Sequence, residues 1–351
     1  MRECRANLKD LASEANVTVG TVSKALRNLP GVGPGMRKKI LALARKHRYV
    51  PNAMARALNS GKTGLIGLVT PSEMHGTVPF ESFPLMQALA EQHGKRIIHL
   101  PFESGDFMAL AKIGYEQQWE GMLLSINQNM IPFNPRKFHK AIRIPVVGVD
   151  LLPDWDKDMD TVSYDRGHGV RLILDHAAQR GARTVGLIAP NDAGHPHPPK
   201  FANLRNELHA RGMELVFSEQ IDIDVAPVLF RSAYQTMERV LASGRRADLV
   251  MGGTDPVALG VLNCLKDHGC RVPHDVSVTG YDNTNESQYA VPTMTTVQRP
   301  INEMIHLAWS ILRQRLSGTA GNAQHAILQP ALVIRGSTDR PADSQSASEG
   351  A

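Results

Sequence analysis

The chain has 351 residues, 42% of them apolar, with 39 Lys and Arg against 34 Asp and Glu. That length exceeds one average domain and can bury substantial cores. No run reaches the ~18 apolar residues of a membrane span, and the N-terminus has no apolar secretory stretch, so a cytoplasmic protein without a membrane partner is expected. Three cysteines, Cys4, Cys264 and Cys270, lack metal-ligand spacing and read as reduced thiols.

The charge is unevenly spread. Residues 1–62 hold 13 Lys or Arg and 3 acids, a net of +10, which leaves −5 for residues 63–351. A basic head on a mildly acidic body is the expected footprint of a nucleic-acid binder.

The head opens with LKDLASEANVTVGTVSKAL. Its apolar positions, Leu8, Leu11, Ala12, Ala15, Val17, Val22, Ala25 and Leu26, predict two short helices joined by a tight turn at Asn16-Val17. Asn16 tolerates a left-handed backbone, and Thr18 is placed to cap the second helix through the amide of Thr21. Val19, Gly20 and Lys24 then point outward from a helix of the right width for a major groove. Arg37, Lys38, Lys39, Arg45, Lys46 and Arg48 follow on or after a third helix, within reach of phosphates. Taken alone, helical periodicity fits a plain helical hairpin equally well; the charge favours a docking surface.

The next segment is YVPNAMARALNSGKTGLIG. Pro51 and Gly61 bracket an Ala-rich helix over 52–58, too short to hold in water unless another surface supports it. Leu58 at its end is placed to act as a minor-groove wedge.

Beyond it, strand-like and helix-like segments alternate. GLIGLVT, RIIHLPF, GMLLSI and PVVGVD form one series; TVGLIAP, the segment around MELVFSE, DLVMGG and VSVTGYD form a second. Repeated strand–helix units imply parallel sheets covered on both faces. TGLIGLVTP and ARTVGLIAP resemble each other and open the two series, which predicts two similar α/β lobes. INEMIHLAWSILRQRLSG is expected to return to the first lobe and the strand ILQPALVIRGS to the second, leaving a cleft between them. Ligands of open α/β sheets lie beyond the carboxyl ends of the strands, which selects Ser72, Asp150, Asn191, Thr254-Asp255 and Asp282. Converging carboxylates suit a polyhydroxylated ligand. For Asp255, capping of the helix PVALGVL, with Pro256 at its first position, is weighted above ligand contact. Trp155 and Phe201 are candidates to stack on a sugar ring or to pack in the core.

The residues LKDLASEANVTVGTVSKAL, RYVPNAMARAL, TDPVALGVL and DVSVTGYDNT, in collinear order over 7 to about 340, resemble the lactose-repressor/galactose-repressor family of bacterial transcriptional regulators. The resemblance implies a small all-α helix-turn-helix head, a hinge helix, and an α/β core of two parallel-sheet lobes like those of periplasmic sugar-binding proteins. It also implies a homodimer on a near-palindromic operator. The expected division is a head at 6–50, a hinge at 51–62 and a core at 63–340, followed by a disordered tail at 341–351. Within the core, lobe 1 takes about 63–160 and 291–320, and lobe 2 about 161–290 and 321–340.

Carried over position by position, base reading falls on Val19, Gly20 and Lys24 and the wedge on Leu58; the full expected DNA-contact set is Thr18, Val19, Gly20, Thr21, Lys24, Asn28, Arg56 and Leu58. The expected effector contacts are the strand-end residues Ser72, Asp150, Asn191, Thr254, Asp255 and Asp282, joined by Lys200 from the resemblance. Lys200 stands where the family's effector-contacting arginine falls, and Thr254 where its usual asparagine does. An ammonium lacks the guanidinium's planar grip, so the effector differs from that of the best-known members or Lys200 holds a phosphate or carboxylate as a point charge. The expected function is a DNA-binding regulator, most simply a repressor, switched by a small carbohydrate-like effector. Control by a protein partner and a transport-type sugar-binding protein are the alternatives. No GxSxG, P-loop, HExxH or full dinucleotide fingerprint is present, and His195-Pro-His197 lacks a third ligand, so neither enzyme nor cofactor is expected.

Overall fold

The computed structural model describes residues 6–49, 62–70, 78–102, 106–126, 135–151, 156–190, 199–221 and 226–339. The chain divides into two compact units, residues 1–63 and 64–351. The expected hinge helix at 52–58, the tail at 341–351, and the residues Cys4, Arg56, Leu58, Ser72, Trp155, Asn191, His195 and His197 all lie outside the described residues.

The first unit contains α1 (Leu8–Ala15), α2 (Val19–Leu26) and α3 (Pro34–Lys46). Asn7 caps α1 by accepting from the amides of Lys9 and Asp10 at 2.7 and 3.2 Å, and the Asp10 carboxylate returns a bond to the Asn7 amide at 2.7 Å. Asn16, at φ 58°, ends the helix in the left-handed region. Two residues later Thr18 accepts the Thr21 amide at 3.1 Å and starts α2, so the turn and cap read from the sequence are the observed ones. Leu11, Ala12, Ala15, Val22, Ala25, Ile40 and Ala44 form the buried centre. Only Leu11, Val22 and Ile40 among them are large, each worth about 1.5–3 kcal/mol of burial. A head this small therefore leans on its caps and polar clamps.

The second unit runs β1 (Leu65–Thr70), α4 (Val78–Gln92), β2 (Arg96–Pro101), α5 (Phe107–Glu116), β3 (Gly121–Leu124), α6 (Pro135–Ala141), β4 (Val146–Val149) and β5 (Asp160–Tyr164). It continues through α7 (Arg166–Gln179), β6 (Thr184–Pro190), α8 (Leu204–His209), β7 (Glu214–Ile221), α9 (Ala226–Ala242), β8 (Leu249–Gly252), α10 (Asp255–Asp267) and β9 (Ser277–Thr279). It ends with β10 (Thr296–Gln298), α11 (Ile301–Leu316), β11 (His325–Leu328) and β12 (Ala331–Val333). One parallel sheet has the order β11-β5-β4-β3-β1-β2, a second has β7-β6-β8-β9, and β10 and β12 form an antiparallel ribbon. No described helix is long and apolar enough to cross a membrane.

The two lobes repeat one another at their opening strands. In GLVT of β1 and GLIAP of β6, the glycine lies under an aromatic ring: a Cβ on Gly67 would stand 2.3 Å from Trp119, and one on Gly186 would stand 2.0 Å from Phe217. Strands β3, β4 and β8 are buried along their whole length, as continuous apolar runs covered on both faces must be.

Three segments cross between the sheets: after β5, between β10 and α11, and between β11 and β12. The expectation for ILQPALVIRGS is corrected here. It breaks at Pro330, which has no N–H for a ladder. Its first half, β11, pairs with β5 in the first sheet, and its second half, β12, pairs with β10. The first sheet also gains β5, from DTVSY, a run hard to recognise because polar Asp, Thr and Ser interrupt it. One continuous apolar cluster, from Ile66 and Met86 through Leu187 and Met251 to Tyr281 and Trp309, spans both lobes. Phe201 lies inside it at 1% exposure, so this ring serves the core and not a ligand.

Candidate functional site

On the head, the exposed face of α2 carries the expected base-reading set. Val19 is 40% exposed, Gly20 and Lys24 are exposed, and Thr18 and Thr21 hold each other at 3.0 Å between their hydroxyls. Asn28 differs. It adopts φ 54°, and its side-chain oxygen accepts from Arg37, whose other Nη donates to the Leu29 carbonyl at 2.6 Å. Arg37 therefore clamps the loop that follows α2 and is corrected from a phosphate contact to a structural one. Lys39 and Lys46 are drawn toward α1, to the Ala15 carbonyl at 3.3 Å and to Glu14 at 2.7 Å. Lys46 and His47 hold the Glu14 carboxyl below its ordinary range. Lys38 and Arg48 are exposed.

In the core, the carboxyl ends of the strands meet at the crossing segments. Asp150 follows β4 at φ 63°, and Arg166 opens α7 after β5. Arg166 Nη2 donates to the Asp150 carboxylate at 2.6 Å and to its backbone carbonyl at 2.9 Å. Burial works against the Arg166 charge, but Asp150, with Tyr164 and Tyr281, outweighs it and raises the guanidinium's pKa. The guanidinium also lies over the Tyr164 ring at 5.0 Å. Tyr281 donates its hydroxyl to the Arg166 carbonyl at 3.0 Å, an approach that Gly169 permits, since a Cβ there would stand 2.5 Å from that oxygen. Burial pushes both phenols up, so they stay neutral.

Lys200 lies in a 3-10 turn, with its ammonium 4.2 Å from the Tyr281 ring centre, and donates to the Gly253 carbonyl. Asp282, at φ 114°, sits 3.2 Å from Arg299 and is almost fully enclosed. Burial raises its carboxyl pKa, while Arg299 and then Lys200 pull the other way. A residue other than glycine at such a φ stores about 1–3 kcal/mol, and strain of this kind gathers at ligand sites.

Asp255 is corrected. The N-cap of α10 is Thr254, Asp255 is the first helical residue, and Pro256 is the second. The Asp255 carboxylate is fully buried and looks away from its own helix. It accepts the Thr284 amide at 2.7 Å and the Thr296 hydroxyl at 2.6 Å. Gly280 makes room for it, because a Cβ there would stand 2.1 Å from the Asp255 oxygen. Burial, then the charge of Asp282, pushes the Asp255 carboxyl up to about 7. The Thr254 hydroxyl is buried without a partner among the described residues.

Of the seven expected effector residues, five are described, and the structure draws Asp150, Lys200, Thr254 and Asp282 to one junction. Asp255 supports that junction from below. Sequence reading missed Tyr164, Arg166, Tyr281 and Arg299. The strand-end rule would have found Arg166 had DTVSY been read as a strand.

Residues 7–52 match the model for bacterial regulatory proteins of the lacI family, and residues 174–338 match the periplasmic binding protein-like domain. A probable HTH-type transcriptional repressor ExuR of Bacillus subtilis (strain 168) is 27% identical over 342 residues, covering 95% of this chain and 98% of that one. The HTH-type transcriptional repressor PurR of Salmonella paratyphi B is 25% identical over 336 residues, covering 94% and 96%. The lac repressor dimer bound to operator and the anti-inducer ONPF superposes with a TM-score of 0.81 at 22% identity, over 95% of this chain and 99% of that one. A CelR–cellobiose complex gives 0.65 at 23%, over 95% and 100%. Both curated relatives are repressors, not enzymes. The chain carries a helix-turn-helix domain of the lacI family of bacterial regulatory proteins over residues 7–52 and a periplasmic binding protein-like domain over residues 174–338, and it is similar over nearly its whole length to HTH-type transcriptional repressors.

Proposed function

We propose that this repressor works as a homodimer whose operator affinity is set by a small, polyhydroxylated effector held between the two lobes of its core. The observation that carries the reading is the convergence of Asp150–Arg166, Lys200 and Asp282–Arg299 on the segments that cross between the sheets. A ligand bound there touches the chain where one lobe turns against the other. The relatives support the rest: a lac repressor dimer is bound to operator, and CelR is bound to cellobiose.

In this reading residues 6–50 dock α2 in a major groove of a near-palindromic operator, with Val19, Gly20 and Lys24 toward the bases. Residues 51–62 form the hinge, whose helix folds on the minor groove with Arg56 and Leu58, and residues 63–340 form the core. The work is done on chromosomal DNA, hence in the cytoplasm. The effector moves the operator equilibrium only by its different affinity for the two lobe arrangements.

The test pairs a thermal-shift screen of the full chain against sugars, sugar acids and sugar phosphates with operator titrations in the presence of each hit. At least one compound should raise the core transition and change operator affinity at least tenfold. A core that no small molecule stabilises, with operator binding unchanged throughout, would overturn the reading in favour of control by a protein partner.

A further inference from the structure

The junction holds a cationic donor that nothing in the described chain satisfies. Arg166 spends Nη2 twice on Asp150, while Nη1 is buried and has no hydrogen-bond partner among the described residues. A guanidinium donates and never accepts, so Nη1 calls for an acceptor that no described residue supplies. Leaving such a group buried and unpaired is destabilising, which argues that the position is kept for a ligand. The Thr254 hydroxyl, next in chain to the carbonyl that Lys200 holds, is a second buried group left open.

The local acids cannot answer Arg166. Asp150 is already engaged through Nη2, and both oxygens of Asp255 are taken by Thr284 and Thr296. Asp282 is shared by Arg299, Lys200 and Arg166, in that order of pull. Among the described residues, Arg166, Lys200 and Arg299 thus face the carboxylates of Asp150 and Asp282, and Asp255, pushed up to about 7, is only partly ionised near neutrality. A neutral polyol offers only hydroxyl acceptors to this excess. An oxyanion offers a charge-assisted bond, roughly twice as strong as a neutral one.

We infer that the effector carries an oxyanion, a carboxylate or a phosphate on a polyhydroxylated body, and that Arg166 is the residue that receives it. This rests on the cleft reading above. Arg166 determines specificity, and Lys200 and Arg299 keep Asp282 from repelling the anion.

The test uses the full chain and calorimetric titration with matched compounds: hexoses and their uronic-acid, aldonic-acid and 6-phosphate counterparts. At least one anionic member should bind ten-fold or more tightly than its neutral parent. That preference should fall at least ten-fold in Arg166→Gln, which keeps donors but loses the charge. Because Arg166→Gln leaves Asp150 unpaired, the double variant Asp150→Asn/Arg166→Gln should repeat the loss with an unliganded melting temperature near that of the parent. Binding by acids alone or phosphates alone identifies the anion, and either result supports the inference. Tighter binding of a neutral hexose than of its acids and phosphate, or an anion preference untouched in both variants, overturns it while leaving the cleft reading standing. Binding by no compound removes both.

Discussion

Asp255 Oδ1 accepts the Thr296 hydroxyl at 2.6 Å, a fully buried bond that ties the first turn of α10 to β10, the strand that leads into one of the three crossings between the lobes. With the Thr284 amide on Oδ2, the carboxylate holds the segment after Asp282 in place. The junction of Asp150, Lys200 and Asp282 is therefore shaped from beneath by a residue that lies outside it.

Asp255 makes core stability depend on pH in a direction opposite to the usual carboxylate. Its folded pKa is about 7 against an ordinary 3.8, so the folded state binds the proton more tightly. Between about pH 4 and 7 the folded form carries more protons than the unfolded one, and this contribution is lost as pH rises through 7. His176, lowered by burial and then by Arg180, works the other way below its ordinary 6.5. The measurement is therefore a difference: the melting temperature of the parent minus that of Asp255→Asn, recorded from pH 5 to 8. This difference should fall with rising pH. A difference constant across the range would show that Asp255 stays charged.

The head separates two basic residues that are adjacent in sequence. Arg37→Ala removes the clamp on Asn28 and Leu29 and should destabilise the head by about 1–2 kcal/mol, taking each lost hydrogen bond at 0.5–1.5 kcal/mol. Lys38→Ala should leave the head's melting unchanged, weaken operator and random DNA alike, and lower the salt slope by about 0.9. Circular dichroism melts and salt-dependent titrations distinguish them. Equal stability losses in both variants would contradict the assignment.

Leu58→Ala should weaken operator binding by ten-fold or more and random-sequence binding by much less, because a wedge acts only where the duplex is kinked at a cognate site. Competitive titration against random duplex measures the ratio. Equal losses on both DNAs would leave Leu58 without its wedge role.

Gly186→Ala should destabilise the second lobe by about 1–3 kcal/mol or more, since its Cβ would fall 2.0 Å from Phe217 in a close-packed core. Phe217→Leu in the same chain should recover part of the loss. Calorimetry of the two variants checks both statements.

The sequence alone determined the elements whose causes are local. Asn16 and Thr18 set the turn and cap of the head by their own backbone preferences and side-chain reach, and the glycine-aliphatic runs opening β1 and β6 marked two similar lobes by composition alone. The basic charge of residues 1–62 needed only counting. Only the tertiary structure decided which polar groups answer each other. Arg166 finds Asp150 after β5 joins β4, and Asp255 turns from its helix to Thr284 and Thr296 because β9 brings them there. Pro330 sends the halves of one apparent strand to separate pairings. Burial and long-range pairing set the charge state of a carboxylate and the partner of a guanidinium, and neither leaves a mark at short spacing in the chain.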